Sequence, residues 1–138
     1  ERMATTIGGI VEPALALPDA RAVVADPDPA RTTALRRVLE AWAKGTPSPL
    51  MAKGLRGTHA GTAREKRSRE MVGKQLAAAR EFAFLAKDDL SARGLERRGD
   101  KIAAVAYYSL RGGEHDYRYR FFLTDKGEVA DMSAEVVD

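Results

Sequence analysis

The chain has 138 residues, 44% of them hydrophobic and 31% charged, and 23 basic against 20 acidic side chains give a formal charge of +3. A chain of that size closes one modest core and leaves no material for a second complete domain, and no apolar run approaches the length of a membrane-spanning helix. With no cysteine present, disulfides, thiolate metal sites and cysteine nucleophiles are excluded.

The first residue is Glu1, and no signal pattern follows it, so the chain reads as a fragment or a processed product. Glu1 to Ala16 carries a weak apolar pattern (Met3, Ile7, Ile10, Val11, Leu15) broken by Gly8-Gly9 and Pro13, which suits the tail of a helix or an irregular lead-in. Leu17 to Ala30 holds three prolines and three aspartates, the composition of an extended linker. Residues 1–25 are therefore expected as lead-in and linker, and residues 26–138 as the domain.

Asp28-Pro29 is a good helix start, because the carboxylate accepts orphan amide hydrogens and proline lacks the one hydrogen that needs no partner there. Leu35, Val38, Leu39 and Trp42 follow at i, i+3, i+4 and i+7 and make one apolar stripe that ends at Gly45. Within that stripe Trp42 reads as core, with ligand stacking as its functional alternative. Thr46 to Gly61 reads as loop with one helical turn over Pro49 to Lys53. Thr62-Ala63-Arg64-Glu65 is a capping box that predicts a helix to about Arg80 with Met71, Val72, Leu76 and Ala79 inward.

Across that region Lys53, Arg56, Arg64, Lys66, Arg67, Arg69 and Lys74 oppose only Glu65 and Glu70. Such an excess can meet phosphates, but no aromatics are interleaved with it, so a solvated helix face is the preferred reading over nucleic-acid contact. Glu81 to Ala86 predicts a short strand, with Phe82 and Phe84 on one side and Ala83 and Leu85 on the other. Lys87 to Ser91 is expected to turn the chain, and Arg93 to Arg97 to form an edge strand before the Gly99-Asp100 turn.

Ile102 to Arg111 and Tyr117 to Phe121 alternate with period two around Gly112-Gly113 and predict a β-hairpin. A two-residue loop at the glycines would pair Tyr108 with Tyr117, Ala106 with Tyr119, Ala104 with Phe121 and Ile102 with Leu123 on one face. On the other it would pair Arg111 with Glu114, Tyr107 with Arg118 and Val105 with Arg120. The alanine and aromatic face should be covered by helices and line a core or a pocket.

At the second turn, Asp125-Lys126-Gly127, two registers are open. A two-residue turn aims Ala130, Met132 and Val136 inward; a bulged three-residue loop aims Val129, Asp131 and Ser133 inward instead. The first is preferred because it buries no carboxylate, whereas the second would make Asp131 and Tyr119 a candidate acid–base pair. The expected pocket lining is Trp42, Tyr108, Tyr117, Tyr119, Phe121 and Met132, with Asp131 in the alternative register. Tyr107, Arg118, Arg120 and Phe122 form the expected interface face. His59 and His115 stand far apart with no metal-ligand spacing, and no residue is assigned a catalytic, metal or cofactor role.

The order helix, short helix, long helix, curved antiparallel sheet resembles the cone-shaped nuclear-transport-factor-2-like, ketosteroid-isomerase-like α+β fold of the cystatin-like kind. Asp26-Pro27-Asp28-Pro29 leading to Leu35-Arg36-Arg37, Trp42 and Gly45 is similar to the opening of accessory domains that follow the catalytic domain of bacterial β-lactamase-like serine hydrolases. Phe82-Ala83-Phe84-Leu85, Tyr107-Tyr108, Tyr119-Arg120-Phe121 and Asp125-Lys126-Gly127-Glu128-Val129 are similar to that family's sheet. The resemblance implies an upstream catalytic domain on the same chain, an extracytoplasmic setting and the use of a sheet face for homodimers. No Ser-x-x-Lys or Gly-x-Ser-x-Gly occurs in this sequence.

Three functions follow for comparison. The first is a non-catalytic accessory module that binds a small apolar ligand or another domain; the second is an isomerase or dehydratase with Asp131 as base and Tyr119 or Tyr117 as donor; the third is nucleic-acid contact through the basic helix at Arg64, Lys66, Arg67 and Arg69.

Overall fold

Asp28 opens the first helix as its chemistry dictates. In the computed structural model, which describes residues 6–7, 10–11, 17–56 and 62–137, Asp28 Oδ1 accepts from the Arg31 amide at 3.1 Å and Pro29 takes the first turn. Helix α1 runs Pro29–Lys44, buries Leu35, Val38, Leu39 and Trp42, and ends where Gly45 turns left-handed at φ 73°. A left-handed cap of this kind favours glycine because a Cβ there is strained.

The turn expected over Pro49 to Lys53 forms later, as α2 (Lys53–Arg56). Leu50 to Ala52 is drawn out against a strand instead: the Val129 amide donates to Leu50 O and the Ala52 amide to Val129 O, which buries Met51. Thr62 then caps α3 (Ala63–Ala78), its Oγ1 accepting from the Glu65 amide at 3.2 Å. Val72, Leu76 and Ala79 pack on the core, but Met71 is 59% exposed. Val72, Gln75, Leu76 and Ala79 recur at helical spacing, and Met71, one residue before Val72, lies about 100° off that stripe.

Thr6–Ile7 (β1) and Ile10–Val11 (β2) pair antiparallel, so this part of the lead-in is extended rather than helical. Six further strands complete the order: β3 (Glu81–Asp89), β4 (Glu96–Arg97), β5 (Asp100–Lys101), β6 (Ala104–Arg111), β7 (Tyr117–Leu123) and β8 (Val129–Val136). Among the described residues the chain is thus α+β, with three helices and a four-stranded antiparallel sheet in the order β3-β6-β7-β8. β4 and β5 form a separate two-stranded hairpin, close to the edge strand and turn read from Arg93 to Asp100.

β3 continues through Lys87 to Asp89, where a turn was expected. Its ladder skips Leu85, since Phe84 faces Tyr108 and Ala86 faces Tyr107. That bulge lets the strand run on while Leu85 stays on the side away from α1.

The central hairpin is displaced by two positions from the two-residue-loop register: Tyr108 pairs with Tyr119, Ala106 with Phe121, Ala104 with Leu123 and Tyr107 with Arg120. The connection is longer than two residues, and Asp116 Oδ1 closes it by accepting from the Gly112 amide. The glycines answer a packing demand, because a Cβ on Gly112 would stand 2.8 Å from Arg80 Cβ and one on Gly113 3.1 Å from Ala78 Cβ. A shift of two preserves the faces, so Tyr108, Tyr119 and Phe121 still point at the helices. Ile102 lies on the opposite side, with Val105, Tyr107 and Phe122.

At the second turn the two expected registers are joined by a bulge. Leu123 pairs with Val129 and Phe122 with Asp131, which leaves Ala130 as the extra residue. Val129 and Met132 therefore both contribute to the helix-side core, and Ala130 belongs to the other cluster rather than to the inner face.

Both sides of the sheet are covered. The stretch expected as a linker is docked on the outer face: Ala20 is buried there, Arg118 Nη1 donates to Pro18 O at 2.9 Å, and Arg111 Nη2 donates to Ala22 O at 2.9 Å.

Candidate functional site

A groove of about 210 Å³ lies between α1, α3 and the β7–β8 side of the sheet. Leu39 and Trp42 reach it from α1, Met71, Val72 and Gln75 from α3, and Tyr119 and Met132 from the strands. The geometry follows from the elements. The α1 stripe aims Trp42 at the sheet, the even register aims Tyr119 and Met132 back at it, and α3 closes the side with the half-buried stripe that includes Gln75.

Four of the seven expected lining residues meet in this groove: Trp42, Tyr119, Met132 and Asp131. The others lie elsewhere. Phe121 is fully buried in the main core. Tyr108 is stacked on Phe82 at 4.8 Å with parallel rings, and its hydroxyl lies 3.4 Å from Thr32 Oγ1, which also bonds Asp26. Tyr117 pairs with Leu110 and Val136 and meets the His115 ring edge-on at 6.3 Å. These rings fill the space between sheet and helices that the sequence left open for a ligand.

The deepest polar pair of the groove is Tyr119 with Gln75, the phenol donating to Gln75 Oε1. Tyr119 is only 2% exposed, and burial, with Tyr117 adding to it, pushes its pKa well above the usual tyrosine range. The phenol is neutral at every ordinary pH and acts as a hydrogen-bond donor. Because Tyr119 occupies Oε1, the Gln75 carboxamide has its two N–H donors to offer the groove.

Asp131 sits at the end of the groove beside Arg98. One carboxylate oxygen accepts from Arg98 Nε at 3.2 Å and from the Met132 amide at 2.9 Å, and the other is 3.5 Å from Arg97 Nη1. Arg98 belongs to the β4–β5 hairpin tip, where it takes φ 52°, a left-handed conformation that costs a non-glycine residue about 1–2 kcal/mol. The tip is packed on α2: the Gly54 amide donates to Asp100 Oδ2 at 3.3 Å, and Arg98 O lies where a Gly54 side chain would be. α2 thus sets the hairpin, and the hairpin sets the guanidinium on Asp131.

The expected interface face is divided. Tyr107 and Phe122 are 2% and 7% exposed, buried in the cluster that Ala20 helps to cover. Arg118 is held by Glu135 at 2.7 Å and by Pro18 O. Arg120 donates to Ser133 Oγ at 3.0 Å, and its guanidinium is 5.9 Å from the Phe122 ring, with that of Arg97 at 4.3 Å.

Of the basic α3 residues, Arg64, Lys66, Arg67 and Lys74 are exposed, whereas Arg69 turns inward onto the Trp42 ring at 4.7 Å. Among the described residues no three His, Asp or Glu side chains are grouped to hold a metal ion, and no helix is long and apolar enough to cross a membrane. His59 lies outside the described residues.

Gln75 and Arg98 escaped the sequence reading, and the sequence presents Arg69 as part of a basic helix face rather than as the partner of Trp42. Gln75 left one signal, a polar residue inside the apolar stripe of α3. Arg98 and Arg69 left none, since each looks like one more surface cation. Comparison with protein families, with curated proteins and with solved structures found no match to this chain.

Proposed function

We propose that this chain is a non-catalytic binding domain of the cone-shaped nuclear-transport-factor-2-like class, accessory to a larger serine-hydrolase-like protein, and that its groove receives a small ligand with an apolar body and a polar end. The observation that carries the reading is the groove itself. An apolar wall of Leu39, Trp42, Val72 and Met132 surrounds the Tyr119–Gln75 pair, which is the usual make-up of a ligand site: mostly apolar, with a few converging polar groups. Its 210 Å³ is below the 300–1,000 Å³ or so of sites for drug-sized molecules, so the ligand is smaller than those.

Non-catalytic binding is favoured over isomerase chemistry by the state of the two candidate groups. Asp131 has both oxygens engaged by guanidiniums and a backbone amide, and Tyr119 already donates to Gln75. A general base must be aimed at the proton it abstracts, and this carboxylate is turned onto two guanidiniums.

The test uses Trp42, the chain's single tryptophan, as a fluorescent reporter. Neutral 1-octanol and benzyl alcohol should shift its emission saturably, and Val72→Phe, which fills the groove, should weaken both by tenfold or more while thermal stability is kept. No response up to the solubility limit, or an unchanged affinity in Val72→Phe, would overturn the reading. Turnover of a ketone that disappears in Asp131→Asn would overturn its non-catalytic part.

A further inference from the structure

The groove is apolar within and basic at its borders. Met71 belongs to its wall, yet the side chain is 59% exposed. The apolar wall therefore continues past the mouth onto the outside of α3, where a ligand held wholly within 210 Å³ leaves it in water.

Exposed cations flank that methionine. Arg67 lies four residues before Met71 and Lys74 three after it, so both are its neighbours on the helix surface. Arg64 stands one turn ahead of Ser68, another residue of the groove wall. All three are exposed, and none makes an ion pair with a described residue. Against them and Lys66, the exposed carboxylate of α3 is Glu70 alone. The other borders do not offset this excess. α2 sends Leu55 into the groove and exposes Lys53 and Arg56 beside it. At the β4–β5 tip two guanidiniums share Asp131, and on α1 Glu40 is paired with Arg36 at 3.5 Å.

The chemistry around the mouth separates the anionic partners that such charge attracts. A single-stranded nucleic acid asks for aromatic faces on which bases stack, but Trp42, the aromatic ring nearest these cations, is only 7% exposed. A membrane surface asks for a broad apolar face, whereas Met71 stands alone among charges. An acidic peptide asks for one apolar slot with cations beside it, which is the arrangement present.

We propose that the groove and the basic flank of α3 form one docking surface for an acidic peptide segment, which seats a single large apolar side chain such as leucine in the groove. That side chain lies against Trp42, Val72 and Met132. The segment passes out over Met71, and its carboxylates meet Arg64, Arg67 and Lys74. This inference rests on the groove taking an apolar body, and it makes that body part of a longer chain.

The probe is a fluorescein-labelled peptide of eight glutamates around a central leucine, titrated with the whole chain at low salt and followed by anisotropy. It should bind at least tenfold tighter than the same peptide with a central alanine. Added salt should weaken both, because the flanking contacts are screened. Val72→Phe should erase the advantage of leucine. The double variant Arg67→Glu, Lys74→Glu changes only exposed positions of α3; it should weaken the leucine peptide tenfold or more and leave the Trp42 response to 1-octanol unchanged.

No binding of the leucine peptide by a chain that still answers 1-octanol would overturn the proposal and leave the groove a ligand site. Equal affinity for the leucine and alanine peptides would overturn it too, since the surface would then be a basic face without a slot. An oligouridylate of nine nucleotides that binds as tightly as the leucine peptide would assign the face to nucleic acid instead. If neither the peptide nor 1-octanol binds, the groove reading falls and the proposal with it.

Discussion

Gly54→Ala is the substitution that tests most directly how the groove end is built. The residue lies in the four-residue helix α2, and a Cβ added to it would stand 2.1 Å from Arg98 O and 2.9 Å from Arg98 Cβ. Since the nearest atom is a backbone carbonyl, no rotamer change relieves the clash, and α2 must separate from the β4–β5 tip. Overpacking of this kind costs about 1–3 kcal/mol, and the upper part of that range applies where backbone meets backbone. Separation also forfeits the Gly54–Asp100 hydrogen bond, worth about 1 kcal/mol. Alanine returns about 0.5–1 kcal/mol through its better helix propensity.

The expected net loss is about 2–3 kcal/mol, or roughly 8–12 °C in Tm at about 4 °C per kcal/mol for a chain of this size. Urea unfolding followed by Trp42 fluorescence measures it. Gly94→Ala is the control, because that glycine has open space around its missing Cβ and only its φ of +65° to defend, which predicts a smaller loss of about 1–2 kcal/mol. A Gly54→Ala chain that loses less than Gly94→Ala would refute the claim that α2 and the hairpin tip are in obligatory contact. The account of how Arg98 reaches Asp131 would go with it.

Two further outcomes are expected. Arg118→Ala removes the donor to Pro18 O and the pair with Glu135; at about 1.5–3 kcal/mol for hydrogen bonds to a charged group, it should cost about 2 kcal/mol and speed amide hydrogen exchange around Ala20 and Ala22, and unchanged exchange there would show that the strap is held by other contacts. Burial raises the pKa values of Tyr107, Tyr108 and Tyr119, so the folded chain keeps these phenolic protons to higher pH than the unfolded one. Their contribution to stability is full below about pH 10 and is lost as pH climbs through the folded values, so alkaline unfolding should coincide with a late step in tyrosinate absorbance, and ionisation of all four tyrosines at pH 10 with the fold intact would contradict it.

The helices and the sense of each face were legible because they rest on local chemistry. Asp28-Pro29, Gly45 and Thr62-x-x-Glu65 act within one turn of themselves, and their caps form where they were expected. The α1 stripe needs only helical spacing. The hairpin register was not legible, because Gly112-Gly113 looks like a two-residue turn while its actual constraint is the approach of Arg80 and Ala78, residues more than thirty positions earlier. The faces of the paired residues survived that error through parity: a displacement by two positions moves every partner and inverts no side chain within the ladder, and only Ile102, which precedes the strand, changes sides.

The site was legible only where it depends on parity, and hidden where it depends on an inserted residue or on charge pairing at long range. The sequence posed Asp131 or Met132 inward as alternatives, on the assumption that β8 is regular. The bulge at Ala130 dissolves the choice, since it lets Val129 and Met132 both face the helices and leaves Asp131 at the rim. The objection to a carboxylate there was its desolvation, which holds only for an unpaired charge. Arg97 and Arg98, brought in by a hairpin whose position is set by a glycine on α2, supply the pairing. Asp131 is therefore next to the apolar groove because it is already neutralised.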